Sequence, residues 1–275
     1  MKPSSYACVS LTLLASLLAT GCGSDDSEAV AESLQVDTIL AVFAHPDDEV
    51  SAGPLLAKYA REGKTIYLAT VTDGRWGGAS NDEEATALAA TRALEAQCST
   101  SALGLADPLL LEFEDGEVSE NIYAVKATVA GLIASIEPDV LLTWGPEGGY
   151  GHKDHRLVSA IVSDVFQAGS LDGSPWPKAL YYPGIRQVEL DSYAPSTQFG
   201  GVLKSIWGTT QENYLQYAIT VEDEDILATK AAIACHDSQW DEVTQADLSV
   251  MIETIGETIY LRKALQEGSD KTALD

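Results

Sequence analysis

Residues 38–43, TILAVF, followed without a break by residues 44–49, AHPDDE, form the stretch that decides the fold. The first six residues are apolar and β-branched over the length of a buried strand, and the next six place one imidazole and three carboxylates where that strand ends. Three adjacent acids repel one another unless a cation offsets their charge. The motif therefore predicts either a metal site or a polar turn whose acids favour the N-terminus of the following helix.

From residue 37 onward, short apolar or β-branched runs alternate with amphipathic helical stretches. This alternation is typical of βαβ units, so we predict an α/β fold: a Rossmann-like three-layer sandwich with a mainly parallel sheet and an active site at the carboxyl ends of the strands. Strands are predicted at Thr38–Phe43, Thr65–Val71, Leu109–Phe113, Asp139–Thr143, Ala179–Tyr182 and Tyr217–Val221. Helices are predicted at Ala52–Glu62, Glu83–Cys98, Ile122–Ile136, His155–Gln167, Glu224–Ala234 and Ala246–Leu265, and the Gly- and Pro-rich stretch Gly169–Gly208 is predicted to be irregular.

The charge of the chain restricts its partners. Its 275 residues include 42 Asp and Glu against 16 Lys and Arg, which gives a net charge of -26. Such a charge repels the phosphates of nucleic acids and the anionic headgroups of membranes, so we expect neither as a partner. The acids are scattered rather than grouped, which favours a solvated surface over an acidic binding tail.

The N-terminus has the composition of an export signal. Lys2 supplies the positive start, and the apolar run Val9–Leu18 is too short to span a bilayer stably. Residues 17–22, LLATGC, resemble the lipobox of bacterial lipoproteins, with Ala where Leu is usual. We therefore expect a lipoprotein-type signal peptide over residues 1–21.

This signal implies an exported protein whose membrane contact is a lipid on Cys22. Residues 22–36 are then a flexible acidic tether, and residues 37–270 are the folded domain on the periplasmic or cell-surface side of a bacterial membrane. The alternative is cleavage by the ordinary signal peptidase near Ala19 and free secretion.

The cysteines are few. Cys8 leaves with the signal and Cys22 carries the lipid, so Cys98 and Cys235 remain in the folded part. No cysteine-based metal site is expected from this set. The sequence leaves two states open for the pair, a disulfide or two buried thiols.

A second polar motif, residues 150–155 (YGHKDH), lies beyond the predicted strand Asp139–Thr143. Three of the four histidines lie in the two motifs, at His45, His152 and His155. Because the carboxyl ends of parallel strands meet at one edge of a sheet, we expect the two motifs to lie together. Two imidazoles and one carboxylate, with a position left for water, are a common catalytic zinc arrangement, so the second motif favours the metal site.

The two motifs together, residues 44–49 and 151–155, resemble the LmbE-like (PIG-L) family of zinc-dependent N-acetylglucosaminyl deacetylases. Three weaker features agree with this resemblance: Val71–Gly74 after the second strand, Arg92–Glu95 with Leu103-Gly104 in the second helix, and Lys230 with His236–Gln239 near the end.

The resemblance implies roles for two groups of residues. The zinc ligands, for one Zn²⁺ per chain, are His45, Asp48 and His155. The catalytic residues are Asp47 as general base, His152 for the oxyanion or the leaving amine, and Asp154, which orients an imidazole. Glu49 is assigned only a supporting role at the start of the next helix, where helix capping remains open.

Substrate contacts are predicted at Arg92, Tyr150, Trp144 and Asp73. Together with Trp76 and Trp207, the aromatic residues are compatible with a sugar-stacking platform, although aromatics beside Gly and Pro turns more often pack loops. Arg92 has the alternative of an ion pair with Glu95 on the helix surface. His236, at the end of a predicted helix, is a further candidate contact to the site.

We therefore expect a hydrolase that removes the N-acetyl group from a GlcNAc-containing substrate and releases acetate and a free amine. One alternative is a metal-dependent amidase or deacylase acting on another N-acyl compound. Another is a non-catalytic lipoprotein that binds sugar or metal in the same cleft. Asp47 favours catalysis, because a binding protein does not need a free carboxylate beside its ligands.

Overall fold

The computed structural model describes residues 36–170, 173–255 and 257–264. The predicted signal peptide, the lipid anchor predicted on Cys22 and residues 22–35 of the tether lie outside the described residues, as do residues 265–270 of the predicted domain. Within the described part of the chain, no helix combines the length and the apolar character needed to cross a bilayer.

The described residues contain one sheet of seven strands. In chain order these strands are β1 Thr38–Phe43, β2 Thr65–Thr72, β3 Leu109–Phe113, β4 Val140–Thr143, β5 Ala179–Gly184, β6 Tyr217–Thr220 and β7 Thr258–Lys263. Their order across the sheet is β3-β2-β1-β4-β5-β7-β6. The first five strands pair in parallel, and β7 is antiparallel to both of its neighbours. The predicted α/β fold with a mainly parallel sheet is confirmed.

Helices cover both faces of this sheet. They are α1 Gly53–Arg61, α2 Asp82–Leu103, α3 Ile122–Ile136, α4 Lys153–Ala168, α5 Gln187–Ser192, α6 Gln198–Ile206, α7 Asp223–Ile233 and α8 Glu242–Ile255. Side chains of β1 alternate between the two faces: Ile39, Ala41 and Phe43 pack with α1, whereas Leu40 and Val42 pack with α3 and α4. A strand buried on both faces reads as a continuous apolar run, as this one does.

The neighbouring strands β1 and β4 mark the point where the strand order reverses. After β1 the chain builds β2 and β3 on one side, and it then returns through α3 to place β4 on the other side. The Thr143 hydroxyl donates to the carbonyl of Val42 at 2.7 Å and ties the two strands at their carboxyl ends. The loops that follow them diverge, which opens a crevice at the place where ligands bind in such sheets.

The prediction of one helix over Ala246–Leu265 is wrong. The helix α8 ends at Ile255, and the strand β7 follows from Thr258 to Lys263. Ile259 and Leu261 of β7 are buried in the same core cluster as β1. The side chains of this strand alternate with a period of two. The longer helical pattern before it concealed the change from the helical period to the strand period.

The prediction of an irregular stretch over Gly169–Gly208 is wrong in part, because two short helices, α5 and α6, lie there in addition to β5. The Thr197 hydroxyl caps α6 by accepting a hydrogen bond from the N–H of Gly200 at 2.9 Å. The buried carboxylate of Asp247, from α8, accepts from the N–H and the hydroxyl of Thr197. Composition alone did not indicate these helices, because a capping partner from a distant helix stabilises the first turn of α6.

Cys98 and Cys235 form a disulfide, with Cα atoms 5.7 Å apart. Cys98 lies in α2 and Cys235 follows the end of α7, so the bond joins these two helices. Cys98 is exposed and Cys235 is half-buried. Of the two states that the sequence left open, the structure has the disulfide.

Candidate active site

The loop after β1 is folded around the carboxylate of Asp48. The backbone N–H groups of Ala44 and His45 both donate to Asp48 Oδ2 at 2.9 Å. Asp47 has φ 117, a backbone conformation rare outside glycine, and its N–H donates to Glu49 Oε2 at 3.0 Å. This sharp turn separates two adjacent carboxylates, so that Asp48 is buried beside β1 and Asp47 faces the crevice.

Three side chains from the two motifs converge on one point. Asp48 Oδ1 lies 3.0 Å from His155 Nε2, and His45 Nδ1 lies 3.1 Å from the same nitrogen. His45 Nδ1 also lies 3.7 Å from Asp48 Oδ2. All three residues are buried. The structure therefore brings together the three residues predicted as ligands.

The outer nitrogens of the two imidazoles test whether a metal fits this point. His155 Nδ1 lies 3.2 Å from the carbonyl oxygen of Gly148, so this nitrogen carries the proton and the Nε2 lone pair faces Asp48. His45 Nε2 lies 3.1 Å from Asp115 Oδ1, and a proton held on this nitrogen by the carboxylate would leave the Nδ1 lone pair facing inward. Two lone pairs and a carboxylate oxygen at one point suit a cation between them, and two nitrogens with one oxygen are a donor set that zinc accepts.

The charges around His45 also favour a cation at this site. Burial opposes its protonation, but the carboxylates of Asp115, Asp154 and Asp48 outweigh burial and raise the pKa of His45 well above its usual value. The same imidazoles lower the pKa of Asp48 well below its usual range, although burial acts against this. The pocket is thus built to stabilise positive charge at its centre.

Asp115 is a site residue that the sequence reasoning did not select. It lies in the loop after β3, and its carboxylate also accepts a hydrogen bond from the N–H of Trp76. The available signal was its position, because residues 114–116 follow a predicted strand at the same edge of the sheet.

Asp154, predicted to orient an imidazole, lies beside His45 rather than beside its sequence neighbour His152. Its fully buried carboxylate lies 3.5 Å from His45 Nε2 and accepts from the N–H of Gly116 at 2.9 Å. Asp115, from the loop after β3, and Asp154, from the first turn of α4, therefore both lie beside the same nitrogen.

Asp47 lies beside the point where His45, Asp48 and His155 converge, but it is not one of the three converging side chains. Burial raises the pKa of Asp47 to about 6, although the charge of Arg92 acts in the opposite direction. Arg92 Nη2 lies 2.9 Å from Asp47 Oδ2, and the same guanidinium donates to the carbonyls of Gly74 and Pro46. A Cβ at Gly74 would collide with the guanidinium of Arg92, so this glycine makes room for it.

Arg92 is only 2% exposed, which argues against the predicted substrate contact. The alternative, an ion pair between Arg92 and Glu95, is not formed by these two side chains in the described structure either. Glu95 instead accepts from the N–H and the hydroxyl of Ser238, at 2.7 and 2.8 Å. Arg92 holds the Asp47 carboxylate and the loop that carries it.

Trp144 supports the predicted ligands. Its ring stacks on that of His155, with centroids 4.5 Å apart and planes 5° apart, and its Nε1 donates to Asp48 Oδ2 at 3.1 Å. The side chain is 5% exposed, so the structure argues against a sugar-stacking role for Trp144. The ring orients two of the predicted ligands at once, as residues around metal sites do.

His152 and Tyr150 border the crevice. The His152 ring lies 4.7 Å from that of His45 and 4.8 Å from that of His155, and its Nδ1 accepts from the N–H of Asp154. Burial and the neighbouring imidazoles lower the pKa of His152, which favours its neutral form. The nitrogens of His45, His152 and His155 lie within 4.8 Å of one another, so His152 is within reach of the same ion. Burial raises the pKa of Tyr150, which keeps its phenol protonated.

Asp73, the fourth predicted substrate contact, lies elsewhere. Its carboxylate is paired with Arg75, with Oδ2 2.5 Å from Arg75 Nη2 and 2.8 Å from Arg75 Nε. Together with Glu112, these two residues line a separate cavity of about 300 Å³ behind Pro46. The structure does not bring Asp73 to the crevice that Asp47 faces.

Glu49 forms a buried link between the loop and two helices. Its Oε1 accepts from Ser99 of α2 and lies 2.8 Å from His236 Nε2, while Oε2 accepts from the N–H of Asp47. The sequence left open a helix-capping role for Glu49. In the structure its side chain instead makes tertiary contacts that join the loop to two helices. His236 reaches the site through this carboxylate.

Comparison with known proteins finds a family whose model matches the part of the chain that carries both motifs. Residues 40–166 match the family model described as PIG-L, GlcNAc-PI de-N-acetylase. These residues form a PIG-L family domain. The PIG-L match begins in β1 and ends in α4, so it spans both motifs of the site.

Relatives of this PIG-L domain carry one activity in their names. The 1D-myo-inositol 2-acetamido-2-deoxy-alpha-D-glucopyranoside deacetylase of Rhodococcus erythropolis is 31% identical over 174 residues, which are 52% of this chain and 59% of the relative. The protein of the same name from Mycobacterium leprae is 28% identical over 73% of this chain and 80% of its own length. The chain thus spans about three fifths of the length of the Rhodococcus relative.

Solved structures share the fold at low identity. The N,N'-diacetylchitobiose deacetylase of Pyrococcus horikoshii has a TM-score of 0.65 at 18% identity, covering 83% of this chain and 84% of its own. The 4-carboxy-2-hydroxymuconate hydratase GalB of Pseudomonas putida has a TM-score of 0.56 at 17% identity, covering 86% of this chain and all of its own. Because a hydratase shares the fold, the fold alone does not decide the reaction.

Proposed function

We propose that this protein is a zinc-dependent hydrolase that removes the N-acetyl group from a GlcNAc-containing substrate. The observation that carries the proposal is the convergence of His45 Nδ1, His155 Nε2 and Asp48 Oδ1 beside the separate carboxylate of Asp47. The names of the Rhodococcus and Mycobacterium relatives, deacetylases of a 2-acetamido-2-deoxy-glucoside, support the same reaction.

The ion would be held by His45, Asp48 and His155, with Trp144 and Asp115 fixing the orientation of these ligands. When bound, zinc supplies a Lewis acid for the amide carbonyl and lowers the pKa of a water molecule at the site.

The residues of the chain perform the proton transfers. Asp47 accepts a proton from the attacking water as the oxygen bonds to the amide carbon, and Arg92 holds the carboxylate in place for this step. As the C–N bond breaks, the leaving nitrogen takes up a proton from Asp47 or His152, which gives acetate and a free amine. A neutral His152 can donate its Nε2 proton to the oxyanion, since its Nδ1 already accepts a hydrogen bond.

The test is the release of amine from N-acetylglucosamine and its glycosides by purified protein of known metal content. We expect turnover that a chelator abolishes and added zinc restores. Asp47→Asn should keep the metal and lose turnover by a factor of at least about 100. The exposed Asp191→Asn is a matched control that should keep both properties. A zinc-loaded protein that cleaves none of these amides would contradict the proposal.

We also propose that the protein is exported and anchored by a lipid on Cys22. The support is the apolar run Val9–Leu18 followed by LLATGC at residues 17–22. Cys22→Ser should move the protein from the membrane fraction to the soluble fraction of fractionated cells. Unchanged membrane association of that variant would contradict the anchor.

A further inference from the structure

A cavity of about 260 Å³ opens at the carboxylates of Asp47 and Asp48. It extends away from the convergence point between α6, α7, α8 and the loop after β1. Apart from Ser51, Tyr150 and Gln239, the walls beyond the two carboxylates consist of aliphatic and aromatic side chains. The cavity is therefore charged at its inner end and apolar along its length.

The apolar walls are a continuous part of the core. Leu203, Ile233, Leu248 and Ile252 form one buried cluster, and the partly buried Val50 packs against it. All five side chains line the cavity. A surface of this kind would leave the hydroxyls of a sugar ring without hydrogen-bond partners, which costs free energy for each buried hydroxyl.

The size of the cavity also exceeds the needs of an acetyl group. A water molecule occupies about 30 Å³ in the liquid, so about 260 Å³ corresponds to roughly eight groups of the size of a water or a methylene. A single methyl group would leave most of this apolar volume unfilled. An unbranched alkyl chain of six to eight carbons would fill it.

The chemistry of the site decides which end of the substrate enters the cavity. The amide carbon must lie between Asp47 and the convergence point, so its two substituents extend in different directions. The hydroxylated, amine-bearing part needs polar partners. His152, Asp115 and Lys153 lie in or directly after the loops that follow β3 and β4, and none of the three lines the apolar cavity. The acyl chain is left for the apolar cavity.

We propose that the site takes N-acyl amino sugars whose acyl group is a medium-length alkyl chain, in preference to acetyl. This inference rests on the proposed deacylase function, whose acyl group it specifies. The amide bond is cleaved by water as before, and the carboxylic acid released is a fatty acid of about seven to nine carbons, an alkyl chain of six to eight carbons plus the carboxyl carbon, in place of acetate.

Binding tests the inference separately from turnover. Trp144, Trp207 and Trp240 line the cavity, so their fluorescence reports its occupation. Titration of the zinc-loaded Asp47→Asn protein with N-acetyl-, N-butanoyl-, N-hexanoyl- and N-octanoylglucosamine should show a dissociation constant that falls about three- to fourfold for each added methylene. The octyl glycoside of N-acetylglucosamine, which carries its chain on the other side of the amide, should bind no better than the methyl glycoside.

Turnover by the unmodified protein gives the second measurement. The value of kcat/KM should rise along the same N-acyl series. A flat N-acyl series together with a steep glycoside series would overturn the proposal, and so would preference for acetyl in both measurements. Tight chain-dependent binding without any hydrolysis would support the acyl cavity and contradict the proposed function.

A matched pair of variants locates the effect. Phe199 lines the mouth of the cavity and is 42% exposed, whereas Val202, one helical turn further along α6, is 49% exposed and is not among the lining residues. Phe199→Ser should lower the ratio of octanoyl to acetyl kcat/KM about tenfold. Val202→Ser should leave that ratio unchanged. Equal effects of the two variants would overturn the placement of the chain.

Discussion

Glu49 Oε1 lies 2.8 Å from His236 Nε2, and both side chains are buried, at 1% and 0% exposure. The same carboxylate accepts the N–H of Asp47, so it connects the end of α7 to the residue proposed as general base. His236 lowers the pKa of Glu49 despite its burial, and the link is therefore an ion pair.

Glu49→Ala should destabilise the protein strongly, because it leaves an imidazole buried without its partner. The expected loss is about 3 to 5 kcal/mol in the free energy of unfolding, measured with urea. Turnover per bound zinc should also fall in the folded fraction, since the Asp47 turn loses its acceptor. Exposed Glu83→Ala is the control and should change neither value. Unaltered turnover per zinc in Glu49→Ala would show that the link has no positioning role.

Trp144→Phe should weaken metal binding while leaving the fold intact. Phenylalanine keeps a ring against His155 but cannot donate to Asp48 Oδ2. Loss of such a hydrogen bond to a ligand typically lowers metal affinity about 10- to 100-fold, which competition with a chromophoric chelator measures. Trp176→Phe removes a hydrogen bond to the carbonyl of Phe166, away from the site, and should leave zinc affinity unchanged.

His155→Ala should remove the metal and its effect on stability together. A ligand that binds only the folded state raises the melting temperature, so zinc should stabilise the unmodified protein against heat. The variant should melt at one temperature with or without zinc. A zinc-dependent shift that persists in His155→Ala would contradict its place among the ligands.

The Cys98–Cys235 disulfide should matter for stability and for turnover. Its two cysteines are 137 residues apart in sequence, and cross-links of this kind contribute about 2 to 4 kcal/mol. They directly precede Ser99 and His236, the two partners of Glu49 Oε1. Replacing both cysteines by serine should lower the free energy of unfolding by that amount and should lower kcat. A reductant should affect the unmodified protein in the same direction and have no effect on the double variant.

The Arg61–Asp225 pair should give a pH-dependent contribution to stability. Asp225 accepts from Arg61 at 2.8 and 2.9 Å, and although burial opposes its ionisation, Arg61 lowers the pKa of Asp225. A lowered pKa in the folded state means that the pair stabilises above the unfolded pKa near 3.9 and loses its effect as pH falls through the folded value. Asp225→Asn should therefore cost about 1 to 2 kcal/mol at pH 7 and progressively less in acid. Exposed Asp223→Asn should show no such trend.

Local periodicity was sufficient for much of the fold. The bounds of β1, β3 and α3 agree with the prediction to the residue, because each is an apolar run between clear turn signals. β7 was missed because its partners, β5 and β6, are distant in sequence and supply the pairing that makes it a strand.

The convergence of the two motifs was predictable for a topological reason, since the carboxyl ends of adjacent parallel strands meet. The contact partners of Arg92 and Trp144 were not predictable from the sequence. A long side chain can reach several neighbours, and only the packing of the folded protein selects one of them. Arg92 reaches under the β1 loop to Asp47, and Trp144 turns inward onto His155. Asp115 was overlooked because a single acid in a loop carries no pattern of its own.

The pairing of β1 with β4 also sets the order of events during synthesis. Thr143 and Val42 are 101 residues apart, and their contact exists only after β4 has joined the sheet. His45 and Asp48 leave the ribosome long before His155, so the nascent chain presents only two of the three proposed ligands until α4 has formed. We therefore expect a metal at this site to be incorporated late in maturation, after the two halves of the sheet have docked.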